Sequence, residues 1–452
     1  MNRAPWMRIQ EDIVCRAYYK RTFPHEFENP HDPIPEDRCK VADVQGKLAK
    51  LRGWDQTFSC LPSIITAVPY GVMADKYGRK IVMFLSLLGI IMSLVWQVNI
   101  AYFSQYIPIE WYWAGNVFLF IGGGSAVVKS MCFTILADVA SEESPLFFGF
   151  NAVYLIGGVF AVPASWYLMK QGVNPFVPMT VSIGFITLGL LVVVFIPETL
   201  NRTQVPDPAE GMSSSDIDSE DEGGLLSASK KPTFISVMVR KVEEVRFIFA
   251  SPMLLALTIT FLVQSMHAVS MQLLFQFASE RFHWSLADSS FLIPLSSIAN
   301  FFILVVAFPA IYSLLTSQFG LSAAAKDLIV SRGSVFFSIF GALFIAVSPI
   351  PSLLIIAIII YSFGNGFTSS ARSLITSLVR PDQVSRLYAV LATLDVIGTI
   401  ISGPLLSGAY SWGLHIGGLW SGMAFIVLAV LFSVTCLPIF FFKLPEIEVE
   451  ED

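Results

Sequence analysis

Charge is scarce in this chain. Lys, Arg, Asp and Glu make up only 14% of its 452 residues, against roughly 25% in soluble domains. With 54% hydrophobic residues and a mean hydropathy of +0.67, the chain could not cover its apolar surface in water. That excludes a soluble globular protein and points to an integral membrane protein. Positive charge is in deficit: the formal net charge is −6, so the basic field that nucleic acid requires is missing. Cysteine and histidine are sparse too. Five cysteines without a C-x-x-C pair, and His25, His31, His267, His283 and His415 without an H-E-x-x-H arrangement, exclude the usual zinc sites and a dense disulfide framework. No G-x-x-x-x-G-K-[ST] stretch is present, which excludes an ATP-driven pump unless another chain hydrolyses the nucleotide. No cofactor, metal or enzymatic activity is expected.

What the chain has in abundance is long apolar runs. About 20 apolar residues cross a ~30 Å hydrocarbon core. Runs of that kind occupy 56–74, 81–103, 112–136, 147–169, 176–196, 252–275, 288–312, 334–350, 352–371, 387–410 and 418–442. Eleven spans are therefore predicted. Pro349-Ile350-Pro351 divides one continuous apolar stretch, because proline ends helices, and a tight hairpin is expected there.

Lys and Arg set the orientation. Lys76, Arg79 and Lys80, the cluster from Arg202 to Arg246, Lys326 and Arg332, then Arg372, Arg380, Arg386 and Lys443, fall in one set of loops. The alternate loops hold only Lys170 and Arg281. The first set is expected in the cytoplasm, which leaves the sequon at Asn201 unused. Residues 1–53 are polar, and parity places them outside with no apolar segment ahead of them. Either the segment is translocated unaided, or a first span is absent from this sequence and 1–53 joins spans one and two. The second reading is preferred, and twelve spans are then expected in the full-length form. Cys15 and Cys39 either pair in an oxidising exterior or remain free thiols.

The expected domains are a polar external segment (1–53), an N-terminal transmembrane bundle (54–199), a cytoplasmic acidic linker with an amphipathic helix (200–250), a C-terminal bundle (251–443) and an acidic tail (444–452). Ser213 to Gly224 is low-complexity and acidic, which suits a solvated linker better than a phosphorylated segment. Residues 233–250 suit a helix lying on the inner membrane surface. The two bundles carry repeat signals. Pro197-Glu198 ends the first and Pro445-Glu446 the second. An offset of 241 places Gly157 on Gly398 and Pro163 on Pro404.

The most informative motif is Gly71-Val72-Met73-Ala74-Asp75-Lys76-Tyr77-Gly78-Arg79-Lys80. Gly71 allows close helix approach, Gly78 permits a tight turn at positive φ, and Asp75 can face a helix N-terminus. Arg79 and Lys80 meet inner headgroups. This stretch resembles the G-x-x-x-D-x-x-G-R-[RK] signature of the major facilitator superfamily. The acidic central loop, the Pro-Glu-Thr-Leu ending at residues 197–200 and the stretch Glu11 to Tyr19 are similar to fungal members of its drug-transporter-like branch. The resemblance implies an all-α major facilitator fold of two pseudo-symmetric helical bundles. It implies a gate in which Asp75 faces the start of the penultimate span near Arg386. Three departures stand out. Asn116 to Gly124 lacks the Arg usual in the fourth span. The fifth-span antiporter pattern keeps Gly149, Gly158 and Pro163 but has Val162, Trp166 and Tyr167 where glycines are usual. The loop 313–333 lacks the signature.

Polar residues within spans are costly and are functional candidates. Asp395 lies nine residues beyond Arg386, about 14 Å deep, and suits proton titration or substrate contact, or else helix packing. Lys129 sits at similar depth and could pair with Asp395 or reach inner-leaflet water. Asn151 and Tyr154 share a helix face, and the repeat offset sets Tyr154 against Asp395. His267 and Asn365, with Gln264 and Asn300, are further cavity candidates, each also compatible with helix–helix hydrogen bonding. Gly364-Asn365-Gly366 is a flexible point or a small-residue contact.

The function read from these residues is secondary active transport of a small molecule by alternating access, coupled to protons, in a monomer surrounded by membrane lipid. Uptake by symport, export by antiport, a non-transporting receptor and an inactive truncated transporter remain alternatives. Plasma and vacuolar membranes are equally compatible with the sequence.

Overall fold

The computed structural model describes residues 3–24, 34–139, 157, 160–199, 252–380 and 383–442. The acidic linker, the amphipathic stretch 233–250, the sequon and the acidic tail lie outside these residues. The described structure is helical throughout. α1 is Arg3–Thr22, α2 Ala42–Tyr77 and α3 Arg79–Tyr102. A 3₁₀ segment, Ile109–Phe120, leads into α4, Gly124–Val139, followed by α5 over 160–170 and α6, Phe176–Phe195. The second half contains α7, Pro252–Phe282; α8, Leu286–Phe319; α9, Ala323–Val347; α10, Pro351–Ser377; α11, Val384–Ile416; and α12, Met423–Phe441. Among the described residues, ten helices are long and apolar enough to cross a membrane. Most of the remaining expected span, 147–169, lies outside the described residues.

Several boundaries differ from the expected ones. The first span begins at Ala42, not residue 56, and runs 36 residues. Its early turns carry charge, but Val44, Leu48 and Leu51 recur at helical spacing and are buried. The stretch 112–136 is not one uniform helix. Gly122, Gly123 and Gly124 all take positive φ, and a Cβ at Gly122 would lie 2.4 Å from the Ser86 backbone. Only glycine fits this break. The loop 313–333 is mostly helix: α8 stops at Gly320 in the left-handed conformation, and the Ser322 hydroxyl caps α9 by accepting from Ala325 N (3.3 Å). The hairpin at 348–350 forms as expected, with Pro351 opening α10. The polar segment 1–53 is not an open loop where described; α1 packs against α2, and Cys15 and Cys39 are joined, with Cα atoms 5.4 Å apart.

The largest core lies in the second half, where Tyr361, Phe277, Phe425 and Phe432 interlock α7, α9, α10 and α12. The outer surface is unlike that of a soluble protein. Phe185, Phe195, Val434 and Phe441 are all more than half exposed, as side chains facing lipid would be.

Candidate functional site

Two ends of the bundle must be distinguished. One carries Lys76, Arg79 and Lys80 and is called the basic end; the other carries the disulfide. At the basic end α2 stops at Tyr77, Gly78 turns at φ 117°, and α3 begins at once. The expected signature residues meet here. Asp75 is bonded to Arg79 one turn on. Glu198 takes the place expected of Asp75 at a helix N-terminus. Its Oε1 accepts from Arg79 N (2.8 Å) and its Oε2 from Lys80 N (3.3 Å), where the helix dipole favours an anion. Lys80 Nζ donates to Val194 O (2.6 Å). A Cβ on Gly78 would lie 2.2 Å from the Glu198 carboxylate, so glycine is needed for space as well as for φ. The Pro-Glu ending of the first bundle therefore does more than stop a helix: it fastens α6 to the α2–α3 turn. Arg386 is exposed on the first turn of α11, and no ion pair links it to Asp75, whose side chain is 72% exposed.

The face of α2 that bears Gly71 and Asp75 continues, by helical rotation, to Gly53 and Gly46. Toward the disulfide end this face is sealed against α11. A Cβ on Gly53 would lie 2.2 Å from Ser407 Oγ, and one on Gly403 2.2 Å from the Gly53 carbonyl oxygen. Small residues bring the two backbones together, as membrane helix interfaces require. Thr57 Oγ1 donates to Ile400 O across the seam (2.7 Å). Toward the basic end the seam opens. Among the described residues, nothing approaches within 4 Å of a Cβ built on Gly71. Among the described residues, this helix face is thus closed at Gly53 and open at Gly71.

A buried polar lattice reinforces the closed end. Lys40 Nζ donates to Glu11 Oε1 (2.7 Å), and these side chains are 1% and 0% exposed. Gln45 Nε2 also donates to Glu11 Oε1 (2.6 Å), and Gln276 Nε2 from the second bundle donates to Gln45 O (2.9 Å). Glu36 accepts from Lys40 (3.1 Å) and from the backbone of Leu286 (2.7 Å), a second link between bundles. A third is Asp288, which accepts from Trp166 Nε1 (2.9 Å) and Lys170 (3.3 Å). Removing one partner of a buried pair leaves the other charge unpaired at about 3–5 kcal/mol. Glu11 also keeps Arg8 Nη1 (3.0 Å), so Lys40→Met does not strip it of every cation. The substitution is expected to lower stability in detergent unfolding by about 1.5–3 kcal/mol, the value of hydrogen bonds to a charged group, and Glu11→Gln added to it is expected to restore part. A loss below ~1 kcal/mol would contradict this lattice.

The membrane-embedded candidates separate on inspection. Asp395 Oδ2 accepts from Arg372 Nη2 (2.8 Å), and the two side chains are about one-third exposed, at 32% and 36%. Of the two alternatives open for Lys129, the pairing with Asp395 is not the one seen here. α10 runs on to Ser377, so Arg372 lies inside a span rather than in a loop. Lys129 is exposed on α4, with no ion pair to Asp395. Asn365 Nδ2 donates to Asn300 Oδ1 (2.5 Å). That bridge joins the 3₁₀ turn Phe363–Asn365 to α8 three residues ahead of its π-helical turn, Ile303–Ala307. The flanking glycines are packing contacts: a Cβ on Gly364 would meet Ser338 and one on Gly366 would meet Phe308. His267 is buried and stacked on Tyr361, with ring centroids 4.1 Å apart. Asn151 and Tyr154 lie outside the described residues.

A cavity of about 370 Å³ lies between the bundles, lined from α2, α3, the 3₁₀ segment, α4 and α11. It contains a carboxylate that the sequence reading passed over. Asp55 Oδ1 accepts from Asn116 Nδ2 (2.8 Å). Asp55 fell in the gap between the polar segment and the first expected span. The signal that could have found it is the apolar helical period of 44–51, which carries the span back past residue 55.

Two helical bundles around a polar cavity, closed at one end and, among the described residues, open at the other, define a multi-pass membrane transporter. Comparison with known proteins agrees. A family model described as Major Facilitator Superfamily matches residues 53–325. A protein named MFS efflux pump atnC from Emericella nidulans is 31% identical over 99% of this chain and 85% of its own length. One named efflux pump ustT from Aspergillus flavus is 28% identical over 95% and 82%. Among solved structures, the nucleoside transporter NupG superposes with a TM-score of 0.59 at 14% identity, covering 98% of this chain and 100% of that one. A D-xylose-proton symporter also gives 0.59, at 12% identity over 98% and 97%. The chain belongs to the major facilitator superfamily. It is a multi-pass secondary transporter, not an enzyme.

Proposed function

We propose that this protein moves a small molecule across the membrane by alternating access, driven by protons, with the basic end in the cytoplasm. The observation that carries the reading is the α2 face closed at Gly53–Gly403 and open at Gly71. Rocking the bundles would open the first and close the second around the same cavity. The excess of Lys and Arg at the open end supports the orientation, and so does a disulfide at the other, since such bonds persist in oxidising compartments. In this orientation the structure is the inward-facing state. Arg372–Asp395 suits proton coupling, because protonation of Asp395 would release the guanidinium without another charged partner having to move. Relatives named efflux pumps favour export.

The signature residues would then act in the opposite state. Asp75, largely exposed here, would meet the α11 N-terminus near Arg386 when the inner side closes. Asp75→Asn is expected to cut flux in proteoliposomes about tenfold or more, equivalent to ~1.4 kcal/mol on the closed state, with membrane insertion unchanged. Wild-type flux in that variant would remove the gating role. Substrate-dependent proton movement, measured in the same vesicles with a pH-sensitive dye, tests the coupling; binding without any such movement would favour a receptor.

A further inference from the structure

We infer that the inter-bundle cavity selects positively charged, hydrogen-bond-donating small molecules, and that Asp55 sets the charge preference. This deepens the transporter reading and rests on it for the cavity's role.

The volume, about 370 Å³, lies within the ~300–1,000 Å³ of ordinary small-molecule sites. Asp55 is the one charged residue lining it among the described residues. The rest of its polar wall is hydroxyl and amide, including Ser59, Ser93, Gln97 and Thr399. No Phe, Tyr or Trp lines it among the described residues, so recognition there depends on hydrogen bonds and charge rather than on stacking of flat rings. The nearest basic side chain along α2, Arg52, does not line the cavity, although its charge reaches Asp55. Its Nη1 donates to Gln10 Oε1 (3.3 Å), and its guanidinium sits 5.8 Å above the Phe275 ring. Arg52 borders a separate small space beside the seam.

Asn116 fixes the carboxylate by donating to Oδ1, and the Tyr112 hydroxyl also faces it. Both are neutral donors, so Asp55 is the one charge in the lining among the described residues, offset only by Arg52 behind the wall. A carboxylate held in a low-dielectric slab attracts a cation far more strongly than it would in water. The same carboxylate repels an anion of equal size, so the site discriminates by charge. The hydroxyl and amide wall then favours a cation that carries further donors. Amines bearing hydroxyl or amide groups fit this description. Carboxylates and sulfonates do not.

The cavity carries its own reporter. Cys60 lines it, and Gln56 Nε2 donates to its Sγ (3.5 Å). Cys15 and Cys39 are bonded to each other, so Cys132→Ser with Cys436→Ser leaves Cys60 as the one free thiol of five cysteines. The rates of modification by three methanethiosulfonates, trimethylammonioethyl, sulfonatoethyl and neutral methyl, are compared in the purified full chain. Each is normalised to its rate with a free thiol in solution. Focusing by a charged cleft changes local concentrations by about 10–10³-fold, so the cationic reagent is expected to react at least about tenfold faster than the anionic one. In Asp55→Asn the ratio is expected to fall close to parity while the neutral reagent's rate is unchanged, which shows the cavity intact. Asn116→Ala, which keeps the carboxylate, is expected to retain the preference. Equal rates in the parent chain overturn the inference whatever the variants do, and so does a preference that survives Asp55→Asn. The measurement needs no flux. A charge preference without transport would sink the transporter reading and leave this one standing; transport without the preference would do the reverse.

Discussion

Gly403→Val cuts transport about a hundredfold and leaves the protein folded in the membrane: this is the largest effect expected of any single substitution here. The seam toward the disulfide end has no room for a side chain. A Cβ at Gly403 would already lie 2.2 Å from the Gly53 carbonyl oxygen and 3.4 Å from Gln56 Cβ. Two further methyl groups must push α2 and α11 apart. The cluster around Tyr361, Phe425 and Phe432 reaches the seam through Ala49 of α2 and Leu406 and Tyr410 of α11, but its α7, α9, α10 and α12 members lie away from Gly403. The strain therefore falls mainly on the equilibrium between states and less on the fold. The variant is expected to populate the state closed at the basic end. Net flux in proteoliposomes is expected to fall by about two orders of magnitude, which corresponds to ~2.7 kcal/mol of bias between the two states. Gly403→Ala is expected to fall between. Wild-type flux in Gly403→Val would mean that the seam need not close during the cycle.

The second large effect is expected at Asp395. Asp395→Asn keeps the shape of the side chain and can still accept from Arg372 Nη2, but it cannot take up a proton. Transport driven by an imposed pH gradient is expected to drop at least about tenfold, while exchange of labelled for unlabelled substrate at equal pH continues, because exchange requires rocking but no net proton movement. Loss of both activities would make the pair a structural brace. Retention of gradient-driven flux would move the coupling site elsewhere.

Local features of this protein were readable in the sequence because their causes are local. The apolar runs needed only the width of a bilayer, the hairpin at 348–350 only its two prolines, and the turn at Gly78 only its neighbours. Boundaries failed where charge sat on an apolar helical period. Asp43, Lys47, Lys50 and Arg52 disguised the start of α2, and Asp55 was lost with them. The three consecutive glycines at 122–124 fell inside the expected span 112–136; in the structure they break it, because each takes a backbone conformation other residues rarely adopt. Partnerships across the chain were the least legible. Glu198 reaches the Arg79 amide from 119 positions away, and Gln276 reaches Gln45 across 231. Neither pairing leaves a periodic trace. The choice of Arg372 over Lys129 as partner for Asp395 turned on six further residues of α10 beyond the expected end at 371.

The direct test of the account is the accessibility of two positions on one face of α2. Gly71→Cys and Thr57→Cys are made singly in a chain whose free cysteines, Cys60, Cys132 and Cys436, are serine. Membrane-impermeant thiol reagents are then applied from each side. The account predicts that residue 71 reacts from the basic end and residue 57 is shielded from the disulfide end, and that adding Gly403→Val reverses both. Reactivities that rise or fall together, or a shielded residue 71 beside a reactive residue 57 in the otherwise native chain, would contradict a cavity opened alternately by two rocking bundles.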